Sequence, residues 1–236
     1  MTSNAQDAQT LLQQQAHIQR TIAQRFAPED EGLLHALSAA QNAGLPAIQV
    51  SPIQGKLLSM LATLCQAQKI LEIGSLAGYS GIWLARALPA NGRLISLEIN
   101  PKNAGVIRDS FAHAGVAQKT EVRVGNALEL LPTLQSEAPF DLIFIDADKP
   151  AYLQYLDWSL RLTRPGSIIV ADNTIRMGER LRDPSQVTDK NDAAVAAYNQ
   201  RILDDPRLLS LALAMDDEYT DGFTIAIVRA GNEGEL

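Results

Sequence analysis

From residue 69 to residue 172 the chain alternates between short apolar runs and helical patterns. The runs are Lys69–Gly74, Arg93–Ile99, Thr120–Gly125, Phe140–Asp146 and Ser167–Asp172, and the helical patterns between them are Tyr79–Leu88, Pro101–Ala114, Ala127–Leu134 and Ala151–Leu162. Runs such as Leu142-Ile143-Phe144-Ile145 are continuously apolar, as strands buried on both faces must be. Parallel strands need a crossover, usually a helix, and the crossover is right-handed. This rhythm commits the chain to an α/β fold with a parallel sheet and helices on both faces. After Asn173 the rhythm breaks. A polar segment, Arg176–Asp192, leads to a helix at about Ala193–Leu203 and to two further strands, Leu208–Met215 and Phe223–Arg229. The turn Asp216-Asp217-Glu218 joining them is too short for a crossover, so the last strand runs antiparallel. Ahead of the alternation, helices are expected over residues 6–25, at about Glu29–Ala43 (ended by Gly44-Leu45-Pro46) and from Pro52 to Cys65. Residues 1–50 thus read as a helical extension that shapes a substrate mouth or a dimer contact, and 51–236 as the main domain.

At 236 residues, 46% apolar and 20% charged, the chain suits one large core. It has no apolar run of the roughly 20 residues a membrane span needs, and its start, MTSNAQDAQT, is not that of a signal peptide. Cys65 is the single cysteine and falls in an apolar helical pattern, which reads as a packed thiol in a cytoplasmic protein. A net charge of −7 argues against a broad nucleic-acid face. Arg176, Arg180 and Arg182 cluster nonetheless. With Glu179 and Asp183 interspersed they read as a solvated loop, or else as a patch for an anionic substrate tail.

In open α/β sheets ligands bind beyond the carboxyl ends of the strands. Two of the strands end there in Asp146 and in Asp172-Asn173. If those strands are neighbours, three oxygen donors converge with no Cys or His nearby, a set that suits Mg²⁺, Mn²⁺ or Ca²⁺ rather than zinc. The first strand runs into Glu72-Ile73-Gly74-Ser75-Leu76-Ala77-Gly78-Tyr79-Ser80-Gly81. A glycine-rich turn lets a ligand approach the backbone, but this spacing is not the Gly-x-Gly-x-x-Gly of dinucleotide sites. The second strand ends at Glu98, placed to accept hydrogen bonds from ribose hydroxyls. Together these point to a nucleoside without a pyrophosphate, its base near Gly125-Asn126-Ala127. Gly78-Tyr79-Ser80-Gly81 is not a hydrolase nucleophile elbow, because Ile82 stands where a further glycine is needed. His17, His35 and His113 fall on helices away from the strand ends, in surface or packing roles.

Leu71-Glu72-Ile73-Gly74, Gly78-Tyr79-Ser80, Ile145-Asp146-Ala147-Asp148-Lys149 and Asp172-Asn173-Thr174, in this order and spacing, resemble the cation-dependent O-methyltransferases of the caffeoyl-CoA and catechol type. The resemblance runs from about Val50 to Arg229. It implies a Rossmann-like class I methyltransferase fold: a seven-stranded, mostly parallel sheet with an antiparallel C-terminal strand. It implies S-adenosylmethionine as methyl donor, a divalent cation (Mg²⁺ foremost), a small phenolic acceptor with vicinal hydroxyls, and a homodimer. By the same resemblance Asp146, Asp172 and Asn173 are metal ligands and Lys149 is the general base. Val50, Glu72, Gly74, Ser75, Ser80, Glu98, Ala127, Asp146, Asp148 and Tyr155 fall at cofactor positions, and Arg176 and Met177 beside the substrate. Arg176 stands where the family often carries tryptophan, and no acidic residue lies near Gln54 where plant enzymes have one. Methylation of a hydroxylated uridine in transfer RNA and non-catalytic binding of S-adenosylmethionine are the alternatives. Net charge weighs against the first, and the complete Asp146, Lys149, Asp172 and Asn173 set against the second.

Overall fold

The computed structural model describes residues 14, 16–216 and 220–230. The start of the N-terminal helical stretch and the centre of the acidic turn after Asp216 lie outside these residues. A first helix, α1, covers residues 16–26. It is followed by α2 (Glu31–Asn42), α3 (Pro52–Leu64), β1 (Lys69–Ile73), α4 (Tyr79–Ala87), β2 (Arg93–Glu98), α5 (Pro101–His113), β3 (Thr120–Val124), α6 (Ala127–Leu130), β4 (Phe140–Ile145), α7 (Tyr152–Leu162), β5 (Thr163–Ala171), α8 (Lys190–Asp204), β6 (Leu208–Asp216) and β7 (Asp221–Val228).

The strands form one sheet in the order β3-β2-β1-β4-β5-β7-β6. Pairs from β3 through β5 are parallel, and β7 runs antiparallel to both of its neighbours. The expected antiparallel C-terminal strand is therefore β7. Strand order reverses beside β1, between β2 and β4, which opens the crevice where such sheets bind ligands.

Two cores lie against the sheet. On one face Leu33, Leu58, Ile82, Ile107 and Phe111 of α2 to α5 pack on Ile70, Leu142, Phe144 and Val170. On the other, Leu131, Tyr152, Leu156, Tyr198 and Ile202 pack on Leu71, Ile143, Ile145 and Ile169. Local chemistry fixes the helix ends. Ser51 and Gln54 form a reciprocal capping box with Pro52 in the first turn of α3, and Asp30 and Asp189 cap α2 and α8. The segment between α2 and α3 is thereby held over the carboxyl edge of the sheet. Of the histidines, His35 and His113 stack with ring centroids 3.6 Å apart and flank Asp109 where α2 meets α5. They serve packing, away from the strand ends.

Candidate active site

Register brings the site together. Ile73 pairs with Leu97 on one side and with Ile145 on the other, and Ile145 pairs in turn with Ala171. Gly74, Glu98, Asp146 and Asp172 therefore leave the sheet side by side. The amide of Asp146 donates to Ile73 O and that of Asp172 to Ile145 O, both at 2.9 Å. Gly74 is required here for two reasons. Its φ is +87°, and a Cβ would stand 2.1 Å from the Asp146 carbonyl oxygen.

A cavity of about 360 Å³ opens at this edge, lined among others by Gly74, Ser75, Glu98, Ala127, Asp148 and Tyr155. Glu98 is buried, and its carboxylate accepts from the amides of Leu76 (3.1 Å) and Asn100 (2.9 Å) and from Asn103 Nδ2 (3.3 Å). Tyr155 Oη donates to Asp148 Oδ1 at 2.5 Å. Ser75 Oγ and Asn103 Oδ1 are buried on this wall without a hydrogen-bond partner among the described residues. Both residues line the cavity, and their polar side chains suit its wall to a polar ligand. Asn103 and Ile48 belong to this wall although the sequence reading did not single them out. An adjoining cavity over the glycine turn is lined by Val50, Ser80, Gly74, Ser75 and Asp146.

Glu72 lies beneath the glycine turn. It is wholly buried, lines neither cavity, and accepts from Ser80 Oγ (2.6 Å) and Ser96 Oγ (2.7 Å). Burial pushes its pKa up. Its contact with the cavity wall runs through Ser80, so it shapes the turn from beneath.

Asp172, Asn173, Lys149, Arg176 and Gln54 line a further cavity of about 410 Å³, which shares Val50 and Ile48 with the cavity over the glycine turn. Lys149 Nζ lies 3.4 Å from Asp146 Oδ1 and 2.9 Å from Asn173 Oδ1, and donates to Tyr152 Oη at 2.6 Å. Tyr152 Oη donates onward to Asp172 O at 2.9 Å. Tyr152, three residues beyond Lys149, is thus a member of the site that the sequence reading missed. Burial, and then the charge of Asp146, holds the Asp172 carboxyl well above the usual carboxylate range. Two carboxylates and an amide oxygen at one spot, with an ammonium lying across two of them, form a place that favours positive charge. The donor set fits a hard dication, and Asp146, Asp172 and Asn173 are the residues that could hold it.

The segment after Asn173 is not the plain solvated loop its composition suggests. Arg180 is buried. Its Nε donates to Asp192 Oδ1 at 2.7 Å, and its Nη1 donates to Asn173 O. Asn199 Nδ2 donates to Thr174 O (2.8 Å) and Arg180 O (2.7 Å), while Asp221 Oδ1 accepts from the amides of Ile175 (2.9 Å) and Arg176 (3.0 Å). This network holds left-handed backbone at Asn173 (φ 53°), Arg176 (φ 39°) and Met177 (φ 53°). Arg176 lines the cavity, whereas Met177 is 70% exposed and does not. Arg182 pairs with Glu179 at the surface.

Residues 25–227 match the O-methyltransferase family. The chain belongs to this family of S-adenosylmethionine-dependent enzymes. It is 48% identical over 212 residues to a catechol O-methyltransferase from Niastella koreensis, covering 85% of this chain and 91% of that one. It is 45% identical over 203 residues to a catechol O-methyltransferase from Mycobacterium tuberculosis, covering 85% and 90%. Among solved structures, the O-methyltransferase from Bacillus cereus in complex with SAH superposes with a TM-score of 0.85 at 38% identity, covering 90% of this chain and 97% of that one. The methyltransferase fold and the family resemblance read from the sequence are both borne out.

Proposed function

We propose that this methyltransferase moves the methyl group of S-adenosylmethionine onto one hydroxyl of a small vicinal dihydroxyphenyl compound, with a divalent cation on Asp146, Asp172 and Asn173. The observation that carries this reading is the meeting of Asp146 Oδ1 and Asn173 Oδ1 on Lys149 Nζ, with the Asp172 carboxylate held next to them by the Asn173 amide at 2.6 Å, beside the nucleoside cavity. The catechol O-methyltransferases named among its relatives support it.

Glu98 would take the ribose hydroxyls, and Asp148 and Tyr155 the base side of the cofactor cavity. A dication bound by the Asp146 set supplies Lewis-acid activation of a phenolic hydroxyl and fixes its orientation. Lys149, held in place by the Tyr152 hydroxyl, would first release its own ammonium proton to solvent beside the bound dication, and as the neutral amine would then take the proton of the phenolic hydroxyl. The phenolic oxygen then takes the methyl group in one in-line displacement, with no covalent enzyme intermediate. Asp146 borders both the cofactor cavity and the metal set, so donor and acceptor meet beside it. Val50 is buried at the junction, and the exposed Ile48 borders the cavities on both sides of it. The bridge between α2 and α3 thereby gives residues 1–50 a share in the substrate mouth.

The reading extends to a homodimer in the cytoplasm. Leu209, Leu211 and Leu213 of β6 and Ile227 of β7 are 40 to 54% exposed on the sheet's outer strands, an apolar strip suited to a second copy. No described helix is long and apolar enough to cross a membrane. The single cysteine, Cys65, accords with a reducing compartment.

The test is methyl transfer to catechol from isotope-labelled S-adenosylmethionine in the presence of Mg²⁺, read by mass spectrometry. Lys149→Ala should lower turnover by about 10²–10⁴, the usual share of a general base, while cofactor affinity stays within a few-fold. Absence of transfer to every vicinal dihydroxyphenyl compound tried would sink the reading.

A further inference from the structure

Asp192 Oδ1 accepts two guanidinium hydrogen bonds, from Arg180 Nε at 2.7 Å and from Arg176 Nη1 at 2.8 Å. One carboxylate oxygen therefore serves two cations. Asp221 adds a longer ion pair to Arg180 and none to the Arg176 guanidinium. Its Oδ1 is taken up by the amides of Ile175, Arg176 and Gly222, and its Oδ2 lies 4.0 Å from Arg180 Nη1.

The two arginines differ in what remains to them. Arg180 is buried, with Nε on Asp192 and Nη1 on Asn173 O. The Arg176 side chain is 51% exposed and lines the acceptor cavity, and Nη1 is its only side-chain nitrogen with a hydrogen-bond partner among the described residues. A guanidinium carries five N–H donors in a planar fork that matches a carboxylate in two-point fashion. Most of the Arg176 fork is thus unused. Ala47, Ile48, Gln49 and Val50 line the same cavity without charge; its acidic residues, Asp172 and Asp221, have partners of their own in the Asn173, Ile175 and Arg176 amides. The backbone is fixed in its favour as well. Arg176 sits in the left-handed region, which is unfavourable for a residue with a Cβ, with its amide tied to Asp221. Strain of this kind persists where the surroundings enforce it, and it gathers at ligand sites.

We propose that the unused edge of Arg176 is a subsite for a carboxylate on the acceptor. The preferred substrates are then vicinal dihydroxyphenyl acids, ahead of neutral catechols and of catecholamines. This rests on the catechol reading above and narrows it.

The experiment compares kcat/KM for 3-(3,4-dihydroxyphenyl)propanoate, its primary amide and 2-(3,4-dihydroxyphenyl)ethylamine, in the presence of Mg²⁺. The saturated linkers isolate the tail's charge from the reactivity of the ring hydroxyls. In the wild type the acid should exceed the amide by about 10- to 100-fold, chiefly through KM, on the scale of hydrogen bonds to a charged group. The amine should be the poorest of the three. Arg176→Gln should bring the acid-to-amide ratio to within about threefold of unity, and Arg176→Lys should restore part of it by keeping the charge without the fork. Equal use of acid and amide by the wild type, or an acid preference that survives in Arg176→Gln, would overturn the subsite and leave the catechol reading standing. Transfer to none of the three compounds would overturn both.

Discussion

Replacing Arg180 by Met keeps most of the side chain's volume and removes its charge, and the structure sets the size of the effect. Arg180 is 5% exposed and holds Asp192 by Nε at 2.7 Å and Asn173 O by Nη1. Breaking a buried ion pair from one side costs about 3–5 kcal/mol, because the remaining charge is stranded. Here Asp192 keeps Arg176 Nη1 at 2.8 Å, a half-exposed partner that offsets part of the loss. The Asn173 carbonyl loses its side-chain donor, which adds about 1 kcal/mol. A loss of roughly 2–4 kcal/mol follows, within the 5–15 kcal/mol that domains of this kind possess. Urea unfolding of Arg180→Met should show it. The functional consequence should be lopsided. Asn173 stands in left-handed geometry beside the metal set, so the Mg²⁺ concentration for half-maximal activity should rise tenfold or more, while affinity for S-adenosylmethionine changes by less than about threefold. Arg180→Met/Asp192→Leu should recover much of the stability without recovering the metal response. A single variant within 0.5 kcal/mol of the wild type, or an unchanged Mg²⁺ response, would refute the claim that Arg180 positions Asn173.

Gly74→Ala should cost roughly 2–5 kcal/mol, since it combines left-handed strain with a Cβ placed against Asp146 O. Thermal shift should also show the stabilisation by S-adenosylmethionine largely lost, and a well-folded variant with unchanged affinity would mean the strand ends are not so closely apposed. Asp141 offers a test by pH. Burial works to raise its pKa, but the amides of Gln68 and Lys69 and the Arg164 guanidinium hold it below the usual value. A depressed carboxylate stabilises the fold above its unfolded pKa of about 3.9, and that contribution fades as pH falls through the folded value. Asp141→Asn should therefore be less stable by about 1–3 kcal/mol at pH 7, with the gap narrowing as pH falls below the unfolded value of about 3.9. A gap independent of pH would show that charge is not what Asp141 contributes.

What could be read from the sequence follows the reach of each interaction. Apolar runs such as Leu142–Ile145 announce buried strands by themselves, and strand ends show their oxygen-bearing side chains in plain view, so the sheet and the grouping of Asp146 with Asp172 and Asn173 at its edge were legible. Boundaries were less so. The expected helix at Ala127–Leu134 is α6, Ala127–Leu130, followed by a 3-10 turn, Leu131–Ser136, with Pro132 at its start. Strand β5 begins at Thr163, through Pro165 and Gly166, residues that ordinarily argue against a strand. The roles of Arg180 and Tyr152 were hidden for a different reason. A charged residue in a polar segment reads as solvated, and only tertiary structure brings Asp192, Asn199 and Asp221 around it. Glu72 shows the same limit: its place in a motif singled it out, but only the fold shows it one layer behind Ser80.

The central claim is that a divalent cation on Asp146, Asp172 and Asn173 is required for methyl transfer. The direct measurement is steady-state methylation of a dihydroxyphenyl acid by enzyme stripped with EDTA and desalted, with Mg²⁺ titrated back, for the wild type and Asp172→Ala. Calorimetry of S-adenosylmethionine binding on the same samples completes it. Removing one of only two carboxylates should leave too little charge to offset dehydration of the ion. The wild type should lose activity on stripping and regain it with Mg²⁺, whereas Asp172→Ala should stay inactive at every Mg²⁺ concentration while binding S-adenosylmethionine within a few-fold of the wild type. Full activity of the stripped wild-type enzyme would contradict the account.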